Sequence, residues 1–173
     1  MAQGGQPVFP DGAARLATPD NAYGVFVSGD HAYLANGLSG LRVVNVSDPS
    51  APTEVSSLEM PGPARGVFIS EKHAFVADGL SGLRIVDISE PASPREVGAL
   101  ASHGYAYGVF VSGSHAFVAD GLSGLTVADV SNPSAPRQVG QLATPDYAYG
   151  VVVSGDVAYI ADGLSGLRVV DVS

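Results

Sequence analysis

One phrase is written four times in this chain, 42 residues apart. Gly24-Val25-Phe26-Val27-Ser28 returns as Gly66–Ser70, Gly108–Ser112 and Gly150–Ser154. Twelve residues on, Asn36-Gly37-Leu38-Ser39-Gly40-Leu41 returns as Asp78–Leu83, Asp120–Leu125 and Asp162–Leu167. No insertion breaks the interval. A period of this size makes each repeat a supersecondary unit that cannot bury its apolar faces alone, so the units must pack on one another.

Within a repeat, turn signals cut the chain into four short apolar segments. In the first repeat these are Gly24–Ser28, His31–Ala35, Leu41–Ser47 and Thr53–Met60, separated by Gly29-Asp30, by Asn36–Gly40 and by Asp48–Pro52. Segments rich in Val, Ile, Phe and Tyr, bounded by Gly, Pro, Asp and Ser, are strand and hairpin punctuation. None has room for the i, i+3, i+4, i+7 pattern of a helix. The third segment, Leu41-Arg42-Val43-Val44-Asn45-Val46, is apolar on both alternating faces, as a strand covered on both sides must be. The fourth carries Glu54, Arg95, Glu96 and Arg137 at its copies, which suits a wet outer edge blunted against strand addition. Four antiparallel strands per repeat of this length, sandwiched inside and wet outside, predict a propeller blade. The fold class is therefore all-β, and a β-propeller is favoured over a β-solenoid, whose repeat is usually shorter. The chain reads as a single domain over 1–173, with blade repeats 22–63, 64–105, 106–147 and 148–173.

Composition removes several functions. Apolar residues are 46% of the chain and charged ones 14%, which excludes disorder. A formal charge of -9 with scattered Lys and Arg disfavours nucleic acid and anionic membranes. There is no Cys, so disulfide and thiolate chemistry are out and the redox compartment is unreadable. Met1–Pro7 lacks the basic start and apolar stretch of a signal peptide, and no run approaches a membrane span. The expectation is a soluble chain of unknown compartment, whose longer parent, if there is one, could be exported.

The stretches Gly40–Pro52 (GLRVVNVSDPSAP), Gly82–Pro94 (GLRIVDISEPASP), Gly124–Pro136 (GLTVADVSNPSAP) and Gly166–Ser173 (GLRVVDVS) resemble the bacterial LVIVD-repeat family. The resemblance runs over nearly the whole chain after about residue 7 and implies a β-propeller in a family largely without assigned activity. It departs at Thr126 and Ala128, where the other repeats have Arg and Val, changes expected to bear on local packing.

The last repeat stops at Ser173, before its fourth strand. Leu16-Ala17-Thr18-Pro19-Asp20-Asn21-Ala22-Tyr23 mirrors Leu142–Tyr149 at three periods' distance. Residues 7–21 are thus expected to form a closing strand and the loop after it, with Asp11–Ala17 as the outer strand of an incomplete blade. Such Velcro closure would protect an open edge. The blade completed belongs to the same chain in a closed four-bladed ring, or to a partner in an eight-bladed homodimer; a fragment of a longer propeller is the third option. The two-chain ring is the leading expectation, since head-to-tail surfaces close when the rotation permits.

Loops leading into the innermost strands should gather on one face with the Asn36–Gly40 type loops. That face would present Tyr23, Arg65, Tyr107 and Tyr149 round the channel mouth, with His103, Tyr105 and Tyr147 in adjacent loops. Aromatic rings and one guanidinium can stack on a sugar or hold an anion, yet the bland reading, rings covering blade ends, is favoured. Asn36, Asp78, Asp120 and Asp162 supply oxygen atoms, but one carboxylate per blade makes a poor cation cage, and Asp or Asn before Gly is a common turn former. Asn45, Asp87, Asp129 and Asp171 read as turn anchors before Ser. His31, His73 and His115 radiate from equivalent positions that do not converge on a metal, with Val157 in the fourth. No Gly-x-Ser-x-Gly elbow or phosphate loop occurs. The function expected is a non-enzymatic scaffold or interaction module without metal or cofactor. The alternative is a carbohydrate-binding propeller using its Tyr-bearing loop face, and a hydrolase with an axial metal ranks third.

Overall fold

The structure, a computed structural model, describes residues 14–173. Each repeat forms one antiparallel sheet whose strands follow in chain order. The first is β1 (Gly24–Ser28), β2 (His31–Ala35), β3 (Leu41–Asn45) and β4 (Thr53–Leu58). The second is β5 (Gly66–Ser70), β6 (His73–Ala77), β7 (Leu83–Asp87) and β8 (Arg95–Leu100). The third is β9 (Gly108–Ser112), β10 (His115–Ala119), β11 (Leu125–Asp129) and β12 (Arg137–Leu142). The fourth has β13 (Ala148–Ser154), β14 (Val157–Asp162) and β15 (Leu167–Asp171), with a 3₁₀ turn at Gly163–Ser165. The third strand stops at Asn45, short of the expected Ser47, because Asn45 Oδ1 accepts the Ser47 N–H at 2.9 Å and turns the chain. Asp87, Asp129 and Asp171 do the same for Ser89, Ser131 and Ser173, the turn-anchor role expected of them.

The first strands of successive sheets, β1, β5, β9 and β13, adjoin one another, so the sheets stand side by side as blades with these strands innermost. The apolar core is three clusters, each lying between two blades. Tyr33, Leu41 and Val43 of the first blade meet Val67, Ile69 and Val76 of the second. Phe75, Leu83 and Ile85 then meet Val111, Val118 and Val130, and Phe117 and Leu125 meet Val151, Val153 and Ile160. Each of the two middle repeats thus buries one face against the blade before it and the other against the blade after it.

At the two ends this rule leaves a face over. On the last blade, Leu167 is 69% exposed, whereas Leu41, Leu83 and Leu125 at the same position are 0%, 2% and 1% exposed. Val152, Tyr159 and Val169 beside it are exposed too. On the first blade, Val25 and Val27 are exposed where Val67 and Ile69 are buried, although Ala32 and Val44 behind them remain covered. The described chain is an open arc of four blades rather than a closed four-bladed ring. Of the expected closing strand, Asp11–Ala13 lie outside the described residues. Ala14–Ala17 are in no strand, and β15 has no fourth strand beside it among the described residues.

Candidate functional site

Two backbone devices carry the loops to one face. Between blades, Gly37 and Ala64 exchange both N–H···O bonds (3.1 and 2.9 Å), and so do Gly79 with Ala106 and Gly121 with Ala148. Beside these bridges, Gly24, Gly66 and Gly108 bring the inner strands close together. A Cβ on Gly66 would stand 2.9 Å from the Tyr107 carbonyl oxygen and 3.1 Å from Gly108 Cα. Absence of a side chain is what permits this approach.

The residues flanking the bridging alanines form a continuous aromatic row over the blades. The Arg65 guanidinium lies 4.0 Å from the centre of the Tyr23 ring, and its Nε–H donates to the Tyr105 hydroxyl at 3.1 Å. Tyr105 packs on Tyr107 (4.7 Å between ring centres), Tyr107 meets Tyr149 edge-on (5.0 Å), and Tyr147 stacks on Tyr149 (5.9 Å). Burial, aided by the neighbouring Tyr149 and Tyr105, pushes the Tyr107 hydroxyl above its ordinary pKa. Tyr23, Arg65, Tyr107 and Tyr149 therefore do share one face. Tyr23 meets Arg65 and Tyr107 meets Tyr149, and Tyr105 joins the two pairs.

Two cavities open beside the row at repeat-equivalent places. One, about 400 Å³, is lined by His103, Gly104, Tyr105, Tyr107, Leu122 and Tyr147. The other, about 570 Å³, lies one repeat on, among Asp146, Tyr147, Tyr149, Gly163 and Leu164. His103 thus joins the tyrosines. Tyr105 and Tyr147 are fuller members of the site than sequence reading made them, and Asp20 and Asp146 were not foreseen. Asp20 accepts the N–H of Asn21 and of Leu38, both at 2.7 Å, bonds that hold its carboxyl below the usual range with a lesser contribution from Arg65. Asp146 accepts from Tyr147 and Leu164 in the same way. The signal was present in the matching Thr-Pro-Asp of residues 18–20 and 144–146. Gly62 and Gly104 replace these aspartates in the middle blades.

Asn36, Asp78, Asp120 and Asp162 are buried, and beyond any role in its own turn each bonds to the neighbouring lead-in loop. Asn36 Nδ2 donates to the Asp20 carbonyl, Asp78 accepts the Gly62 N–H at 2.9 Å, and Asp162 accepts the Asp146 N–H at 3.1 Å. Arg168 pairs with Asp162 at 3.2 Å, but Arg84 lies 3.9 Å from Asp78 because Glu96 draws it outward at 3.1 Å. Burial consequently raises the Asp78 pKa. Where Arg gives way to Thr126, the Thr126 and Ser102 hydroxyls both donate to Asp120, so that departure is more than a packing change. His31, His73 and His115 begin β2, β6 and β10 on separate blades, with Val157 beginning β14. Among the described residues, no group of three or more His, Asp or Glu side chains is placed to hold a metal, and no helix is long and apolar enough to cross a membrane.

Side-by-side four-stranded blades with the first strand innermost define an all-β repeat protein of the propeller class. The LVIVD repeat model matches residues 19–59, 61–101, 103–144 and 145–173, and the chain belongs to that family. Among solved structures it is similar to the computationally designed Ika4 protein (8% identity, TM-score 0.75), over 96% of this chain and 100% of that one. It is similar also to the computationally designed Ika8 protein (6%, TM-score 0.71) over 87% of this chain and 46% of that one. A functionally unknown protein from Desulfotomaculum acetoxidans DSM 771 matches at 19% identity and TM-score 0.72, over 91% of this chain and 57% of that one. The chain thus spans about half the length of these last two. Identities this low speak to fold alone. Comparison with curated proteins finds no match.

Proposed function

We propose that this chain is a non-enzymatic scaffold whose blades assemble with those of a second copy into a closed eight-bladed ring. The observation that carries the reading is the pair of unmatched end faces. Leu167, Val169 and Tyr159 on the last blade occupy the positions that, at the three internal junctions, receive the face bearing Val67 and Ile69. The first blade offers Val25 and Val27 on that receiving face. Exposed apolar surface of this extent is what assembly contacts are made of, and a head-to-tail contact repeated with constant rotation closes into a ring. By repeat spacing, residues 11–17 stand where an outer strand follows Ser173, so each chain would complete a blade of its partner. Light scattering tests this. Twice the chain mass of 17.5 kDa is expected, and a mass near 17.5 kDa at tens of micromolar would defeat the two-chain ring.

A second reading, a carbohydrate-binding loop face, is supported by the unbroken row from Tyr23 to Tyr147 and its two cavities. Aromatic faces beside a few polar groups suit sugar rings, and equivalent sites on one ring would add avidity. A glycan array is the test: signal that disappears with Tyr107→Ala supports a lectin, and silence on all glycans sinks it.

A further inference from the structure

The two cavities of the loop face are the same cavity one repeat apart; both open to solvent, and only the first is lined by residues of two successive blades. In the first, Tyr105, Tyr107 and Leu122 of the third blade are faced by Tyr147, which the next blade delivers through the Gly121–Ala148 bridge. In the second, Tyr147, Tyr149 and Leu164 repeat that half, with Asp146 in place of Gly104. The facing half is missing. Gly163, the counterpart of Gly37, Gly79 and Gly121, is exposed where those three are buried. Ala22, the counterpart of the fully buried Ala64, Ala106 and Ala148, is exposed as well. The close approach of inner glycines shows the same vacancy: a Cβ on Gly24, Gly66 or Gly108 would press on the next blade's backbone, but one on Gly150 would meet only Ala161 Cβ at 4.0 Å.

Resting on the two-chain ring, we infer that a second copy bridges its Ala22 to Gly163, sets its Gly24 against Gly150, and so closes the Asp146–Tyr147–Tyr149 cavity with its Asn21 and Tyr23 into a pocket for a neutral pyranose ring. The register is fixed by three internal precedents, each with the same Gly–Ala bridge and the same glycine contact. Tyr23 of the second copy then meets Tyr149 as Tyr149 meets Tyr107. Asn21 takes the place that Tyr147 fills in the first cavity, and the smaller side chain leaves space and adds an amide where the other pocket has a ring. The chemistry is that of sugar recognition: aromatic faces for the C–H side of a pyranose, an amide to donate and accept, and a carboxylate to accept from hydroxyls. Asp146 is already oriented by two backbone N–H groups, so it presents its remaining lone pairs without rearrangement. The two-fold axis of the ring makes two such pockets.

Saturation-transfer NMR with a panel of methyl hexopyranosides, run beside light scattering, tests the inference. Saturation of at least one sugar is expected at the doubled mass. The Cβ of Gly150→Val meets nothing nearer than Ala161 Cβ at 4.0 Å in the isolated chain, so the variant should fold with unchanged circular dichroism, remain at single-chain mass and lose binding at least tenfold. Tyr147→Ala should keep the doubled mass and lose binding. A ring that saturates no hexopyranoside, or a Tyr147→Ala ring that binds undiminished, overturns the pocket while sparing the ring. A Gly150→Val chain that still doubles its mass overturns the register, and a wild-type chain of single mass overturns both pocket and ring.

Discussion

Leu41, Leu83, Leu125 and Leu167 are one residue written four times, which makes truncation of each a controlled measurement. Leu83 is enclosed between the second and third blades with 2% of its surface exposed, so Leu83→Ala removes a buried side chain and leaves a hole. Such changes cost roughly 2–5 kcal/mol. Leu167 has the corresponding partner on β14, but among the described residues it has neither a following blade nor the outer-strand partner that Leu100 gives Leu83. With 69% of its surface exposed, it has only about a third of its apolar area to lose. Full burial of a Leu contributes roughly 1.5–3 kcal/mol, so Leu167→Ala in a single chain should cost about 0.5–1 kcal/mol.

The difference between the two mutants therefore measures what the following blade and the outer strand contribute together. The assay is urea unfolding followed by far-UV circular dichroism, at concentrations below and above the point where light scattering detects two chains. Below it, Leu83→Ala should shift the midpoint several times further than Leu167→Ala. Above it, the Leu167 penalty should rise toward that of Leu83, because association stabilises only the chain able to make the contact. Equal penalties in demonstrably single chains would refute the account of the core as lying between blades.

Three further outcomes are expected. Glu71 stands at φ 53° in a turn where Gly29, Gly113 and Gly155 have nearly the same angle, and a side chain there costs roughly 1–2 kcal/mol, partly offset by glycine's larger unfolded-state entropy. Glu71→Gly should raise stability by about 0.5–1 kcal/mol in urea titration; a lower midpoint would contradict it. Asp78 has a folded-state pKa raised by burial, so its stabilising contribution is present below the unfolded carboxyl value and lost as pH rises through the folded one. Asp78→Asn, which copies Asn36, should melt higher than wild type at pH 7 and gain less at pH 4, and the opposite order would sink the argument. Arg65→Ala removes the guanidinium from the Tyr23 face and its bond to Tyr105, and should cost about 1 kcal/mol by the same titration; no change would make the contact ornamental.

Strands, blade order and inner-strand identity were all legible in the sequence, because turn residues and two-sided apolar runs repeat at a constant interval. The mouth residues Tyr23, Arg65, Tyr107 and Tyr149 were legible for the same reason: equivalent positions in an arc of blades come round to one face. What could not be read was which side chain reaches across an interface. Arg84 and Arg168 occupy one repeat position, but Glu96 on the outer strand turns the first away from its aspartate, while the second lies on Asp162. Tyr105 and Tyr147 were visible as loop residues, but their place in the row depends on the next blade's rotation, which period alone does not encode. The buried Asp positions looked like local turn formers since their partners lie 16 residues away, across a loop.

The variation among loops has an order of its own. Asp20 and Asp146 stitch the lead-in loops of the first and last blades, whereas Gly62 and Gly104 let the middle loops press onto the backbones of Asp78 and Asp120 with no room for a side chain. Within one chain this is a difference between ends and middle. Joined head to tail, however, the last blade of one copy precedes the first blade of the other, and the two aspartate loops become neighbours at each seam. The ring would then alternate a glycine-type pair with an aspartate-type pair, so its seams differ chemically from every junction inside a chain. Repetition makes the junctions alike in packing, and this one substitution makes them unlike in the polar groups they present. In the proposed ring, Asp146 would face the second copy's Asn21 and Tyr23 at the seam, so it is there that a ligand would distinguish assembled rings from single chains.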